Sequence, residues 1–83
     1  MTDKAQPAHK LRSRRGGLVV TIWKNESDKG SWYSVTPARI YKQGDQWKES
    51  NSFDADDLLR LSKLLDQADS WIENAEQAER QAA

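Results

Sequence analysis

Leu18-Val19-Val20-Thr21-Ile22-Trp23-Lys24, directly after the pair Gly16-Gly17, is the stretch on which the fold turns. It is β-branched and aromatic and reads as a strand. Side chains alternate along a strand, so Leu18, Val20 and Ile22 share one face and Val19, Thr21 and Trp23 the other. The residues that follow, Asn25 to Ser31, are turn-formers throughout.

Downstream, Trp32 to Lys42 reads as one extended segment interrupted at Pro37. Tyr33 and Val35 alternate before the proline, and Ala38 and Ile40 alternate after it in the opposite parity. A bulge at Thr36-Pro37-Ala38 would restore the phase. It predicts Tyr33, Val35, Ala38 and Ile40 pointing inward, with Trp32, Ser34, Arg39 and Tyr41 outward. Gln43-Gly44-Asp45 is a tight hairpin turn, and Gln46 to Ser50 a short return strand.

A helix follows. Asp54 suits its N-cap and Asp57 its third position, and Phe53 and Leu58 have the spacing of a hydrophobic staple. Asp56 and Asp57 also suit the positive end of the helix dipole. Leu58, Leu61, Leu65, Ala68, Ile72 and Ala75 follow a heptad-like spacing, widened by Leu64 and Trp71. A helix from Ala55 to about Arg80 would run ~39 Å. Short strands cover only ~20–30 Å of that length, so the turns beyond Asn74 should overhang or fray. The apolar stripe exceeds what one small sheet covers, and a homodimer would bury the surplus.

Upstream, residues 1–17 hold one large apolar residue, Leu11, together with Pro7 and the glycine pair. They read as a disordered basic arm, which leaves residues 18–83 as a single domain. The fold class is therefore α+β: an antiparallel sheet of three to four strands, then one long C-terminal helix.

Composition narrows the function. The 83 residues are 36% apolar and 31% charged and contain no cysteine, which excludes disulfides and thiolate metal sites. No run approaches the roughly 18 apolar residues of a membrane span, and the N-terminus lacks the apolar region of a secretion signal. A cytoplasmic protein is expected. Net charge is zero, but its distribution is lopsided. Residues 1–24 carry Lys4, Lys10, Arg12, Arg14, Arg15 and Lys24 against Asp3 alone. Residues 51–83 carry eight acids against Arg60, Lys63 and Arg80. That split suggests a polyanionic partner, or ends that attract each other: the arm could fold onto Asp66, Asp69, Glu73, Glu76 and Glu79 and compete with nucleic acid.

No catalytic constellation stands out. His9 lies in the arm without a fixed partner, and the serines have no ordered histidine to activate them. Asp54, Asp56 and Asp57 are explained by capping rather than by a metal. Neither an enzyme nor a cofactor is expected.

The aromatic residues say more. Trp23-Lys24, Arg39-Ile40-Tyr41-Lys42 and Trp47-Lys48 interleave rings with cations. An open sheet face of that kind binds single strands: rings stack on bases and cations meet phosphates. Large aromatics also build cores, and Trp71 and Phe53 are assigned there. Trp32, Tyr41 and Trp47 are the stacking candidates. Lys24, Arg39, Lys42 and Lys48 are the phosphate contacts, with Arg12, Arg14 and Arg15 of the arm adding salt-sensitive attraction.

Two resemblances bear on this. The run Trp23-Lys24-Asn25-Glu26, Gly30 to Val35, Arg39 to Lys42, Trp47 to Ser50 and Leu58 to Leu61 resembles a small family of bacterial proteins that offers no activity to transfer. The order of Arg39-Ile40-Tyr41-Lys42, Gly44, Trp47-Lys48, an acidic helix start and Leu61 with Leu65 is similar to the positive-cofactor-four type of transcriptional coactivator and the related whirly proteins. That resemblance implies a curved sheet that binds single-stranded DNA and a helix that dimerises. Pro37 and the short return strand depart from the pattern. The expected function is a noncatalytic single-stranded nucleic-acid binder, dimeric, with DNA ahead of RNA as the partner. The alternative is a protein-interaction module that docks a partner on the helix stripe or a sheet edge.

Overall fold

The computed structural model describes residues 6–82. Four strands form one antiparallel sheet in the order β1-β2-β3-β4: β1 Pro7–Arg12, β2 Leu18–Ser27, β3 Gly30–Gln43 and β4 Gln46–Ser50. A short 3-10 turn, Ala55–Asp57, leads into helix α1, Leu58–Ala82. The α+β class, with the sheet followed by one C-terminal helix, is as expected. No helix among the described residues is long and apolar enough to cross a membrane.

Part of the expected arm is strand. β1 pairs with β2 in the register His9 to Ile22, Leu11 to Val20 and Arg12 to Val19. Leu11 packs against the core and His9 stacks on Trp71, with ring centroids 5.2 Å apart. These two contacts, together with backbone pairing, give the segment what its composition alone did not suggest. The expectation for residues 1–5 lies outside the described residues.

The register also removes the expected bulge. β2 pairs with β3 without a shift, from Leu18 with Arg39 to Ser27 with Gly30, and Val20 lies opposite Pro37. Ile40 N donates to Gly17 O at 2.9 Å, so even-numbered residues of β3 aim their N–H at β2. Pro37 therefore faces the other edge, where β4 has already ended at Ser50, the partner of Arg39. The proline forfeits no ladder bond and needs no kink. The parity change is real: Ala38 and Ile40 lie on the face opposite Tyr33 and Val35.

Helix α1 covers the face carrying Leu18, Val20 and Ile22. Leu64 and Ala68 complete the buried cluster, with Leu61, Trp71, Ile72 and Phe53 around it. The buried stripe runs through Leu64 rather than Leu65, so Leu58, Leu59 and Leu65 remain 56%, 70% and 40% exposed. The expected staple loses one member: Phe53 turns into the core while Leu58 faces out. Asp54 is the N-cap of the 3-10 turn that leads into the helix. Its backbone is extended, and its N–H donates to Asp57 Oδ2 at 3.0 Å. β3, at 14 residues, spans ~46 Å, longer than anticipated, and its Tyr33 still meets Glu79 in the last turns of the helix. Residues 76–81 are exposed, yet the helix continues to Ala82.

Candidate nucleic-acid interface

Residues paired directly across an antiparallel ladder share a face. The face left uncovered by α1 therefore carries Lys10, Arg12, Val19, Thr21, Trp23 and Asn25, then Trp32, Ser34, Thr36, Ala38, Ile40 and Lys42, and finally Trp47 and Glu49. Its centre is built from small side chains. Val19, Thr21 and Ala38 are buried there between larger neighbours, although no helix covers them. Two side-chain bonds fix one end: Trp23 Nε1 donates to Thr36 Oγ1 at 3.2 Å, and Asn25 Nδ2 to Ser34 Oγ at 3.0 Å.

Trp32 and Trp47 both stand on this face, 51% and 69% exposed. They are not neighbours. Trp32 lies opposite Asn25, beside the β2–β3 turn, and Trp47 opposite Lys42, beside the β3–β4 turn. Ten residues of β3 separate Trp32 from Lys42, ~33 Å along the strand. Trp47 borders a groove of about 330 Å³ with Arg12, Gly16, Ile40, Lys48 and Glu49. That end combines one open indole with nearby cations and a single carboxylate.

The other expected contacts do not join them. Because the bulge is absent, Arg39 and Tyr41 fall on the helix side of the sheet. There Arg39 packs over the Tyr41 ring, 5.0 Å from its centroid, and its Nε donates to Ser52 O at 3.1 Å. Lys48, opposite Tyr41, belongs to the same side, although it also borders the Trp47 groove. Lys24 is engaged by Glu79 at 3.2 Å and lies 5.9 Å from the Tyr33 centroid. Of the proposed phosphate contacts on the strands, Lys42 and Arg12 share the face of Trp32 and Trp47.

Arg12, Arg14 and Arg15 sit near the turn between β1 and β2. Gly16 N donates to Ser13 O at 2.9 Å, and Leu18 N to Ser13 Oγ at 3.1 Å. Gly16, at φ +79°, takes the left-handed position that closes such a turn. Arg14 and Arg15 are thus its two central residues. The expectation that the arm folds onto the acidic helix is not met by these arginines: among the described residues no ion pair joins them to an acid, and the helix residues that line the cleft with them are Arg60, Lys63, Leu64 and Gln67. Sequence reasoning passed over Arg60 and Lys63. Their signal was a pair of cations one turn apart at the start of a helix otherwise rich in acids.

His9 and Trp71, with Tyr33 edge-on to Trp71 at 5.8 Å, form an aromatic lock between β1, β3 and α1. His9 is therefore positioned by packing. Comparisons with protein-family models, with curated proteins and with solved structures return no match to this chain, so both resemblances rest on the quoted motifs alone.

Proposed function

We propose that this chain is a noncatalytic single-stranded nucleic-acid-binding protein that carries the strand on the sheet face opposite the helix. The observation behind this reading is the exposure of Trp32 and Trp47 on that face. Exposing two indoles to water sacrifices apolar burial that a domain this small needs. Stacking bases on them recovers it, at about 1–3 kcal/mol per base. Lys42 and Arg12 supply charge beside Trp47, and Lys10 continues the basic edge along β1. Trp23, held by Thr36, floors the Trp32 end. Tyr41, Arg39 and Lys24 take structural roles in this reading. DNA is preferred to RNA on the resemblance alone.

Titration with a short oligothymidylate while following tryptophan emission tests the proposal. Quenching that weakens steeply with salt supports it, and unchanged emission at low salt rejects it.

A homodimer belongs to the same proposal. Leu58 and Leu65 lie seven residues apart with Leu61 between them, an apolar flank that a second copy of α1 can cover. The same flank favours the second reading, a protein-interaction module, in which another protein occupies those leucines and the tryptophans bind nothing.

A further inference from the structure

A cleft of about 480 Å³ opens between the β1–β2 turn and the first half of α1. Five cations line it: Arg12 from β1, Arg14 and Arg15 from the turn after it, and Arg60 and Lys63 from the helix, over a floor that includes Leu64. One acid answers them among the described residues, Asp57, 3.8 Å from Arg60. A chain of zero net charge has enough carboxylates to dilute such a cluster, yet no acid is among the residues that line this cleft. Gathering like charges around a concave surface raises the local positive potential and concentrates anions there. The turn that presents Arg14 and Arg15 is held by the Ser13 bonds and Gly16, and Arg60 is braced by Asp56 O at 3.4 Å. Much of the ordering cost is therefore met before any anion arrives.

Arg12 borders both this cleft and the Trp47 groove. A strand leaving Trp47 along Arg12 would be led toward the helix cations. Five guanidinium and ammonium groups along that path suit successive phosphates rather than a single carboxylate.

We propose that this cleft is a phosphate-chain site that takes consecutive backbone phosphates of the strand as it leaves the Trp47 end of the open face. Its ligand chemistry stands by itself, while the strand as the source of the phosphates rests on the function proposed above. Arg60 and Lys63 are then binding residues on the helix, outside the sheet face.

The test uses the full chain and its R60Q/K63Q variant, with unchanged far-ultraviolet circular dichroism as the folding control. Two probes are titrated: inorganic tripolyphosphate, which has no bases, and a short oligothymidylate. The variant should lose about tenfold in affinity for each, as expected when a pair of cation–phosphate contacts is removed. Its salt slope for the oligonucleotide should fall by about 1.4, two phosphate contacts fewer on a single strand. W32A and W47A should leave tripolyphosphate binding intact. Equal tripolyphosphate affinity in wild type and variant, or none in either, overturns the site. Loss of tripolyphosphate with unaltered oligonucleotide affinity and slope overturns the strand as its occupant. Absence of oligonucleotide binding in the wild type, with tripolyphosphate binding that the variant loses, supports the phosphate site while the open-face reading fails.

Discussion

Lys24 Nζ lies 3.2 Å from Glu79 Oε2, across 55 residues of chain, and the Tyr33 hydroxyl donates to the same carboxylate oxygen. The contact ties the last turns of α1 to β2 and β3. It explains how the helix stays attached where its apolar stripe has ended, and it occupies a lysine that the sequence suggested for phosphate.

This clasp has a pH window. The hydrogen bond to Glu79 pushes the Tyr33 hydroxyl up to about 12, and the bonds from Tyr33 and Lys24 hold the Glu79 carboxyl below its usual value. A raised phenol stabilises the fold fully below its unfolded pKa of 10.0 and loses that contribution as pH rises through about 12. A lowered carboxyl contributes above its ordinary pKa and loses it as pH falls through the depressed value. Hydrogen exchange of amides after Ala75 should be slowest between these limits and accelerate on either side beyond the intrinsic pH trend. Tyr33→Phe should abolish the alkaline limb. The same profile in wild type and Y33F would show that the clasp carries no stability.

Core and flank leucines should separate sharply. Leu64 is buried against Val20 and Ile22, so Leu64→Ala should cost about 2–5 kcal/mol, a large share of what a domain this small possesses. Leu58 faces outward, so Leu58→Ala should change monomer stability by less than about 0.5 kcal/mol. Denaturant midpoints measured on dilute protein decide this. Equal losses at the two positions would mean that the helix is rotated relative to the orientation described.

The exposed flank puts the proposed dimer to the test. Sedimentation equilibrium should give twice the 9.5 kDa chain mass, and Leu65→Asp should return the chain to its own mass without unfolding it. A wild-type monomer at high concentration would remove the dimer from the proposal and leave the leucines to another partner.

Much of this architecture was legible because short-range rules decided it. The alternation in Leu18 to Trp23, the Gly44 turn and the Asp54–Asp57 cap each depend on neighbouring residues alone, and each is found. The errors share a long-range cause. Residues 7–12 become a strand because β2 offers a free edge and Trp71 offers His9 a ring, and neither is visible in a polar segment read alone. The bulge at Pro37 follows from assigning Tyr33, Val35, Ala38 and Ile40 to one inward face, whereas β3 runs on without a shift and the two pairs lie on opposite faces. That one step moved Arg39 and Tyr41 to the wrong side of the sheet. Asn25 to Ser27 are turn-formers that continue β2, paired opposite Trp32 to Gly30. Trp32 and Trp47 were placed outward correctly, and reading Trp32 to Lys42 as one extended segment already implies that the two rings stand at opposite ends of it.

The central claim is that the uncovered sheet face carries a single strand on Trp32 and Trp47. Oligothymidylate titrations at low salt on wild type, W32A, W47A and Y41A test it most directly. The account predicts that each tryptophan variant loses about 1–3 kcal/mol of binding free energy and that Y41A, on the helix side, binds as wild type does. Wild-type affinity in both tryptophan variants, or a loss confined to Y41A, would contradict it.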